Sequence, residues 1–440
     1  MIKKLSNGFF IGNTAQAGLQ FLMIPLLVSE LGAVEYGRWG LLEPIIFIFA
    51  LIAQFGCNWG MIKLVNQDGV SVNVALRLSF KQVVFPLLFS ALAAAIWAWF
   101  YFPNTIIFLI FPLVIAVETC LGLGLAAARS SLNSGAYALA ILIKFGLLAA
   151  FASLNKILVN PWVSTAEQFL SVYLICTGFS AIAAVLSIIY QTRKTNSTSL
   201  DGLNISKLAD SSRVYGLPLL FSSLLVAVMN NADRFLVSGL LDPKTLGIYV
   251  IALKLAGALN FLITPIALWW PTARFQHLKD DDLGQAFFSD MAIKFVAGFS
   301  IAGSLLWLLS PFLIPYFAAG IQIDSLVLCF LIMAVVIRAI EPSLNIGLLQ
   351  EGKTHLLVYV TGFFAIFQVV IGYIFVLQFG VLGAAGSFMV SSLLSVLTLH
   401  CWSQKIIRFN FPYVKMLTWI GSVCLATFFV HRFLISIYSS

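Results

Sequence analysis

The sequence predicts an all-α integral membrane protein made of two six-helix transmembrane bundles, twelve core helices in all, with an extra helix at the C-terminal end. Three observations carry that prediction. Of the 440 residues, 61% are hydrophobic and only 10% are charged, where a soluble domain carries about 25%. The mean hydropathy is +1.00. Apolar runs of about 20 residues, the length a helix needs to cross a bilayer, recur along the chain between short polar breaks. Six such runs precede a polar connector and six follow it, and the two sets begin with related residues.

The N-terminal lobe is expected over 1–190, with helices near 9–30, 40–62, 80–102, 106–127, 135–155 and 168–190. The start, MIKKLSNGFFIGNTAQAG, is basic and contains Ala15-Gln16-Ala17, but Asn7, Gly12 and Asn13 interrupt its apolar run. It reads as an uncleaved first helix rather than a signal peptide. A polar connector, QTRKTNSTSLDGLNISKLADSSR, fills 191–213. The C-terminal lobe is expected over 214–404, with helices near 214–240, 246–270, 291–317, 324–349, 355–378 and 382–404, and residues 405–440 hold the extra helix.

Lys and Arg set the orientation. With the N-terminus in the cytoplasm, the outer side holds only Arg38, Lys156, Lys244 and Arg432, and Lys144, Arg234, Lys254 and Arg338 fall inside spans. The rest of the 25 basic residues lie on the inner side, as cytoplasmic loops require. The net charge of +8 is therefore a topology signal and not a nucleic-acid footprint. Cys57, Cys120, Cys176, Cys329, Cys401 and Cys424 form no CxxC pair and read as small buried hydrophobes. His277, His355, His400 and His431 have no metal spacing, no Walker A loop is present, and no cofactor is expected.

The repeat is short. Leu27-Val28-Ser29 leads to Gly37 and Trp39, and Leu236-Val237-Ser238 leads to Gly247 and Tyr249. Both copies sit between the first two helices of a lobe. An even helix number per lobe keeps the copies in one orientation, which relates the lobes by a pseudo-twofold axis along the membrane normal and places a site between them. Gly8-xxx-Gly12 and Gly56-xxx-Gly60 read as close-packing motifs between helices.

Charges inside the spans are the candidate site. An ionised group at hydrocarbon depth is expensive unless it faces protein or water. Asn13, Gln16 and Gln20 share a face of the first helix; Glu43, Gln54 and Asn58 share one on the second. Ser223, Asn230, Arg234 and Ser238 align on the seventh, and Arg338, Glu341 and Asn345 on the tenth. Two accounts of these stripes stand. Arg338 with Glu341 and Glu118 with Lys144 can be structural ion pairs. Alternatively, Arg234, Lys254, Arg338 and Lys144 line a cationic lumen, and Asp233, Glu118, Glu341 and Glu43 serve coupling or ion pairing.

Three stretches carry a family resemblance: IPLLVSELGAVEYGRWGLLEPI, ADRFLVSGLLDPKTLGIYVIALKLAG, and LLQEGKTHLLVYV with the later FGVLGAAGS. They resemble the Wzx-type polysaccharide flippases, which handle O-antigen and capsule repeat units within the multidrug/oligosaccharidyl-lipid/polysaccharide (MOP) exporter superfamily. The resemblance implies a non-enzymatic transporter in the bacterial inner membrane. It would move undecaprenyl-pyrophosphate-linked oligosaccharide between leaflets by alternating access, coupled to an ion gradient. It also implies contact with membrane lipids, and a polysaccharide polymerase and chain-length regulator as partners. Two other readings remain at this point. A multidrug/cation antiporter of the same superfamily would favour carboxylates in its lumen. A membrane-embedded O-antigen polymerase or ligase would need substantial outer loops, and the longest expected internal one is only 155–167.

Overall fold

A computed structural model of the chain describes residues 2–102, 106–157, 162–193, 205–266, 270, 281–318, 320–350 and 354–438. The described residues are helical and contain no strand. In chain order the helices are α1 (Ile2–Gln54), α2 (Cys57–Asn66), α3 (Val72–Tyr101), α4 (Ile107–Ser130), α5 (Ser134–Ile157), α6 (Ala166–Arg193) and α7 (Ile205–Leu240). They continue with α8 (Pro243–Ala256), α9 (Asp281–Phe317), α10 (Ser325–Leu344), α11 (Ile346–Gln350), α12 (Thr354–Ile406) and α13 (Tyr413–Tyr438).

Ten helices among the described residues are long and apolar enough to cross a membrane. Two of them are double-length, Gly8–Gln54 and Leu356–Ile406. Each contains one glycine whose backbone leaves the helix: Gly32 (φ 69, ψ 174) and Gly380 (φ 57, ψ −133). Counting each as two crossings gives the twelve core spans expected. An all-α membrane protein is the result, and α13 adds a further apolar helix of 26 residues.

Gly32 separates the first two spans without a loop, where the sequence suggests a break from about 31 to 39. Nothing would lie within 4 Å of a Cβ at Gly32, so only the backbone demands glycine there. That φ, ψ pair belongs to a region other residues enter at a cost of about 1–3 kcal/mol. Gly32→Ala is therefore expected to destabilise the protein by that amount. Gly146→Ala, in open space within the helical part of α5, is expected to be neutral or to stabilise by about 0.5–1 kcal/mol. Thermal unfolding in lipid nanodiscs checks the pair, and equal effects would remove the backbone argument.

Three other expected boundaries shift for identifiable reasons. The second span is not one helix over 40–62, because Phe55 and Gly56 both take positive φ between α1 and α2. The turn expected at LLDPKTLG shrinks to Leu241 and Asp242: the Asp242 carboxylate accepts from the Thr245 amide at 3.0 Å, and Pro243 opens α8. Asp before Pro is a helix start. The connector expected over 191–213 is helical from Ile205 onward. Leu208 and Ala209 there pack on a core containing Met61, Leu64, Leu123 and Ile188. Its central part, 194–204, lies outside the described residues.

The chain divides into two compact units, Met1–Ala227 and Val228–Ser440. In the first, Gly8 faces Ser134 and Gly12 faces Ala138, so α1 and the start of α5 run parallel at close range. Phe9 packs on Tyr137 with ring centroids 5.1 Å apart, and the Tyr137 hydroxyl donates to Asn13 at 3.0 Å. This is the packing expected of a small-xxx-small motif. Before α6, Asn155 holds both the amide and the carbonyl of Val163 at 3.0 Å, and the Glu35 carboxylate caps the helix start by accepting from the Ala166 amide at 2.9 Å.

In the second unit, the tenth span is not continuous over 324–349. It breaks at Asn345, just after Pro342, between α10 and α11. Backbone groups freed inside a membrane must find partners in the protein, and here they do. Trp270 Nε1 donates to the Pro342 carbonyl at 2.9 Å, and His400 Nδ1 donates to that of Leu344 at 3.0 Å. The Gly347 amide donates to Ser403 Oγ at 2.9 Å. His400 Nε2 then accepts from the Tyr413 hydroxyl at 2.8 Å, which ties the start of α13 to the same break.

Candidate functional site

Among the described residues, each unit holds a cluster of ionisable side chains inside its spans. In the first, α4 supplies Glu118, α5 supplies Lys144 and α6 supplies Tyr173. The Lys144 ammonium pairs with the Glu118 carboxylate and also donates to the Tyr173 hydroxyl at 2.8 Å, while that hydroxyl donates to Glu118. Lys144 further lies over the Tyr173 ring, 4.5 Å from its centroid. Trp39 packs against the same tyrosine, its ring centroid 5.2 Å from that of Tyr173 and 4.6 Å from that of Phe169. Glu43 is near enough to act on Tyr173 electrostatically. The Lys144 side chain is only 8% exposed.

Of the two accounts offered by the sequence, the Glu118–Lys144 ion pair is the one these contacts describe. A buried pair of this kind is tolerated when additional hydrogen bonds satisfy both partners, and Tyr173 serves both. Sequence reasoning names Glu43, Glu118 and Lys144 and misses Tyr173. No local signal singles out a tyrosine 29 residues from its lysine. Trp39 appears in the repeat but without a role.

In the second unit, Asp233 on α7 is fully buried and accepts from the hydroxyl of Tyr249 on α8, itself fully buried. The family-resembling stretch ADRFLVSGLLDPKTLGIYVIALKLAG thus contains both ends of this hydrogen bond. The other carboxylate oxygen, Asp233 Oδ1, has no hydrogen-bond partner among the described residues. Arg234 and Arg338 both act on this carboxylate electrostatically.

Arg338 on α10 donates to Asn230 on α7, and its guanidinium sits 5.6 Å from the Phe388 ring centroid on α12. Glu341, the i, i+3 partner that the ion-pair account offers, acts on Arg338 electrostatically, while the hydrogen bond of Arg338 goes across to Asn230. Glu341 accepts from Asn345 Nδ2 at 3.4 Å. Asn230 shares a helix face with Arg234, which the stripe anticipates; Phe388 it does not. Lys254 is half-buried farther along α8. Gln368 on α12 is fully buried, and neither end of its amide has a partner among the described residues.

The chain superposes on the lipid II flippase MurJ in an inward closed conformation with a TM-score of 0.68 at 16% identity, covering 98% of each chain. An inward-facing multidrug resistance MATE family transporter of the MOP superfamily gives 0.62 at 14% identity, covering 88% of this chain and 94% of the other. A MOP superfamily transporter from Pyrococcus furiosus gives 0.52 at 15% identity, covering 92% and 94%.

The chain has the MOP transporter fold.

No family model and no curated protein matches the sequence. At these identities the likeness fixes architecture alone, because one fold hosts many functions.

Proposed function

We propose that this protein flips undecaprenyl-pyrophosphate-linked oligosaccharide repeat units across the bacterial inner membrane for surface polysaccharide synthesis. The observation that carries this reading is Arg338. It is a guanidinium inside a span, held by Asn230 and set against Phe388, on the same unit as Arg234 and Lys254. An arginine oriented in this way suits a pyrophosphate, whose oxygens it can meet with paired donors. The sequence resemblance to Wzx-type flippases and the MurJ-like fold point the same way. In this reading the N-terminus is cytoplasmic, turnover proceeds by alternating access, and no nucleic acid or cofactor takes part. A polysaccharide polymerase and chain-length regulator receive the product.

The coupling role falls to Asp233 within the same proposal. A buried carboxylate with one oxygen unpartnered among the described residues can take up a proton or a cation there, and an ion gradient supplies either. Lys144 moves from headgroup contact to a structural role, since Glu118 and Tyr173 already satisfy it. Among the alternatives, the multidrug/cation antiporter draws support from Asp233 and from the neutralised Lys144. A polymerase or ligase draws none from these clusters.

Deleting the gene is expected to remove surface polymer while repeat units accumulate on the cytoplasmic leaflet. Repeat units that reach the outer leaflet unpolymerised would indicate the enzyme, and unchanged pools would indicate the antiporter. Arg338→Ala and Arg234→Ala are each expected to reduce export about tenfold or more at matched membrane levels, on the order of the 1.5–3 kcal/mol of a charge-assisted hydrogen bond. Normal export by both variants would leave the cationic site without support.

A further inference from the structure

The extra helix α13 is anchored in its unit by its first turn and the residues just before it. Phe411 and Met416 sit in an apolar core with Trp270, Phe288 and Phe295, and Ser289 Oγ donates to the Asn410 carbonyl at 2.6 Å. Most described side chains beyond that turn are exposed, Leu417, Trp419 and Leu425 among them. From the first turn the Tyr413 hydroxyl meets His400 Nε2 at 2.8 Å, with the two rings edge to face at 5.7 Å. His400 Nδ1 lies 3.0 Å from the Leu344 carbonyl. A carbonyl only accepts, so the imidazole proton is on Nδ1 and Nε2 receives the tyrosine's hydrogen bond.

This chain of contacts ends where α10 is weakest. Pro342 has no amide, so the Arg338 carbonyl, four residues back, loses its helical donor, and the helix stops at Leu344. Asn345 does not secure the break by itself, because its side-chain oxygen has no hydrogen-bond partner among the described residues. The direction of the last turns of α10, and of Arg338 and Glu341 on them, therefore depends on contacts from other elements. The second half of α12 meets α10 at both points. Phe388 lies against the Arg338 guanidinium, while His400 and Ser403 hold Leu344 and Gly347 on the two sides of the break.

We propose that His400 and Tyr413 are positioning residues for the anion site of the second unit, through which α13 fixes the break in α10 and so the direction of Arg338. The inference rests on the flippase reading. Neither residue touches the substrate. His400 is the bridge, and without its bonds the end of α10 can swing about Pro342 and draw the guanidinium away from Asn230 and Phe388.

The test uses the full chain in lipid nanodiscs. His400→Phe keeps a ring in the aromatic packing and removes both hydrogen bonds, Tyr413→Phe removes one, and His400→Gln keeps a donor and an acceptor. Hydrogen exchange over 338–347 is expected to quicken about tenfold in His400→Phe, the scale of one or two lost hydrogen bonds. It should quicken less in Tyr413→Phe and stay near wild type in His400→Gln. Affinity for undecaprenyl pyrophosphate, the probe, is expected to fall about tenfold in His400→Phe at a matched folded fraction and to be restored in His400→Gln. A merely structural role would lower the melting temperature and leave the affinity of the folded protein unchanged. That result overturns the positioning role, as does unchanged exchange in His400→Phe. A wild-type protein that does not bind the probe counts instead against the flippase reading, and the exchange rates then still decide whether His400 and Tyr413 hold the break.

Discussion

Glu118→Ala is expected to lower the stability of the folded protein by about 3–5 kcal/mol, because it strands the Lys144 ammonium among apolar neighbours. Lys144 is 8% exposed, and it lies between Glu118 and the rings of Tyr173 and Phe145. With the carboxylate gone, Tyr173 offers one neutral acceptor, which does not balance a buried charge. Replacing both partners, Glu118→Met with Lys144→Met, is expected to cost far less, since methionines fill similar volume and leave nothing charged behind. Thermal unfolding in nanodiscs measures both proteins, and equal losses from the single and double variants would count against a paired cluster. Export separates structure from function in the same experiment. A folded double variant that still exports identifies the pair as structural, and one that does not export returns Lys144 to the list of substrate contacts.

Gly383→Ala is expected to disrupt the hairpin between the last two core spans, at a cost of about 3 kcal/mol, the upper end for overpacking. The chain reverses at Gly380, and a Cβ on Gly383 would overlap the backbone carbonyl of Phe375. Backbone cannot step aside as a flexible side chain can, so the two halves of α12 must splay. Gly386 is the internal control. One turn farther along, its Cβ would meet the Phe330 ring at 3.7 Å, an ordinary contact. Gly386→Ala is expected to change stability by well under 1 kcal/mol, as a substitution that adds no strain should. Folded yield and melting temperature compare the two, and similar behaviour of both variants would refute the close approach at Gly383.

These two positions show how differently the sequence speaks of its parts. Glu118 and Lys144 stand out at once, because a charge in an apolar run is rare and costly. Their pairing is legible as an option, since adjacent helices bring them within reach. Tyr173, which completes the cluster, is invisible, because a tyrosine in an apolar helix is unremarkable until its hydroxyl has a partner. The small-residue motif at Gly8 and Gly12 is read correctly, and a break between the spans ending near 378 and starting near 382 is expected at Gly380, but the roles of the individual glycines in GVLGAAG are not legible. Nothing local says that a Cβ on Gly383 would meet backbone across a reversal while one on Gly386 would meet only ring atoms.

The sequence by itself determined the class of the protein, the number of its core spans and the positions of the charges inside them. Those properties follow from hydropathy, which acts residue by residue through transfer between water and lipid and needs no knowledge of neighbours. The tertiary structure decided which polar groups meet and which helices break within an expected span, as at Phe55-Gly56 and Asn345. Arg338 gives its hydrogen bond to Asn230 across 108 residues, Gly32 and Gly380 divide helices without a loop, and Asp233 Oδ1 has no hydrogen-bond partner among the described residues. Each is settled by packing between segments distant in sequence. In a membrane interior, where water satisfies nothing, that packing determines which polar group has a partner.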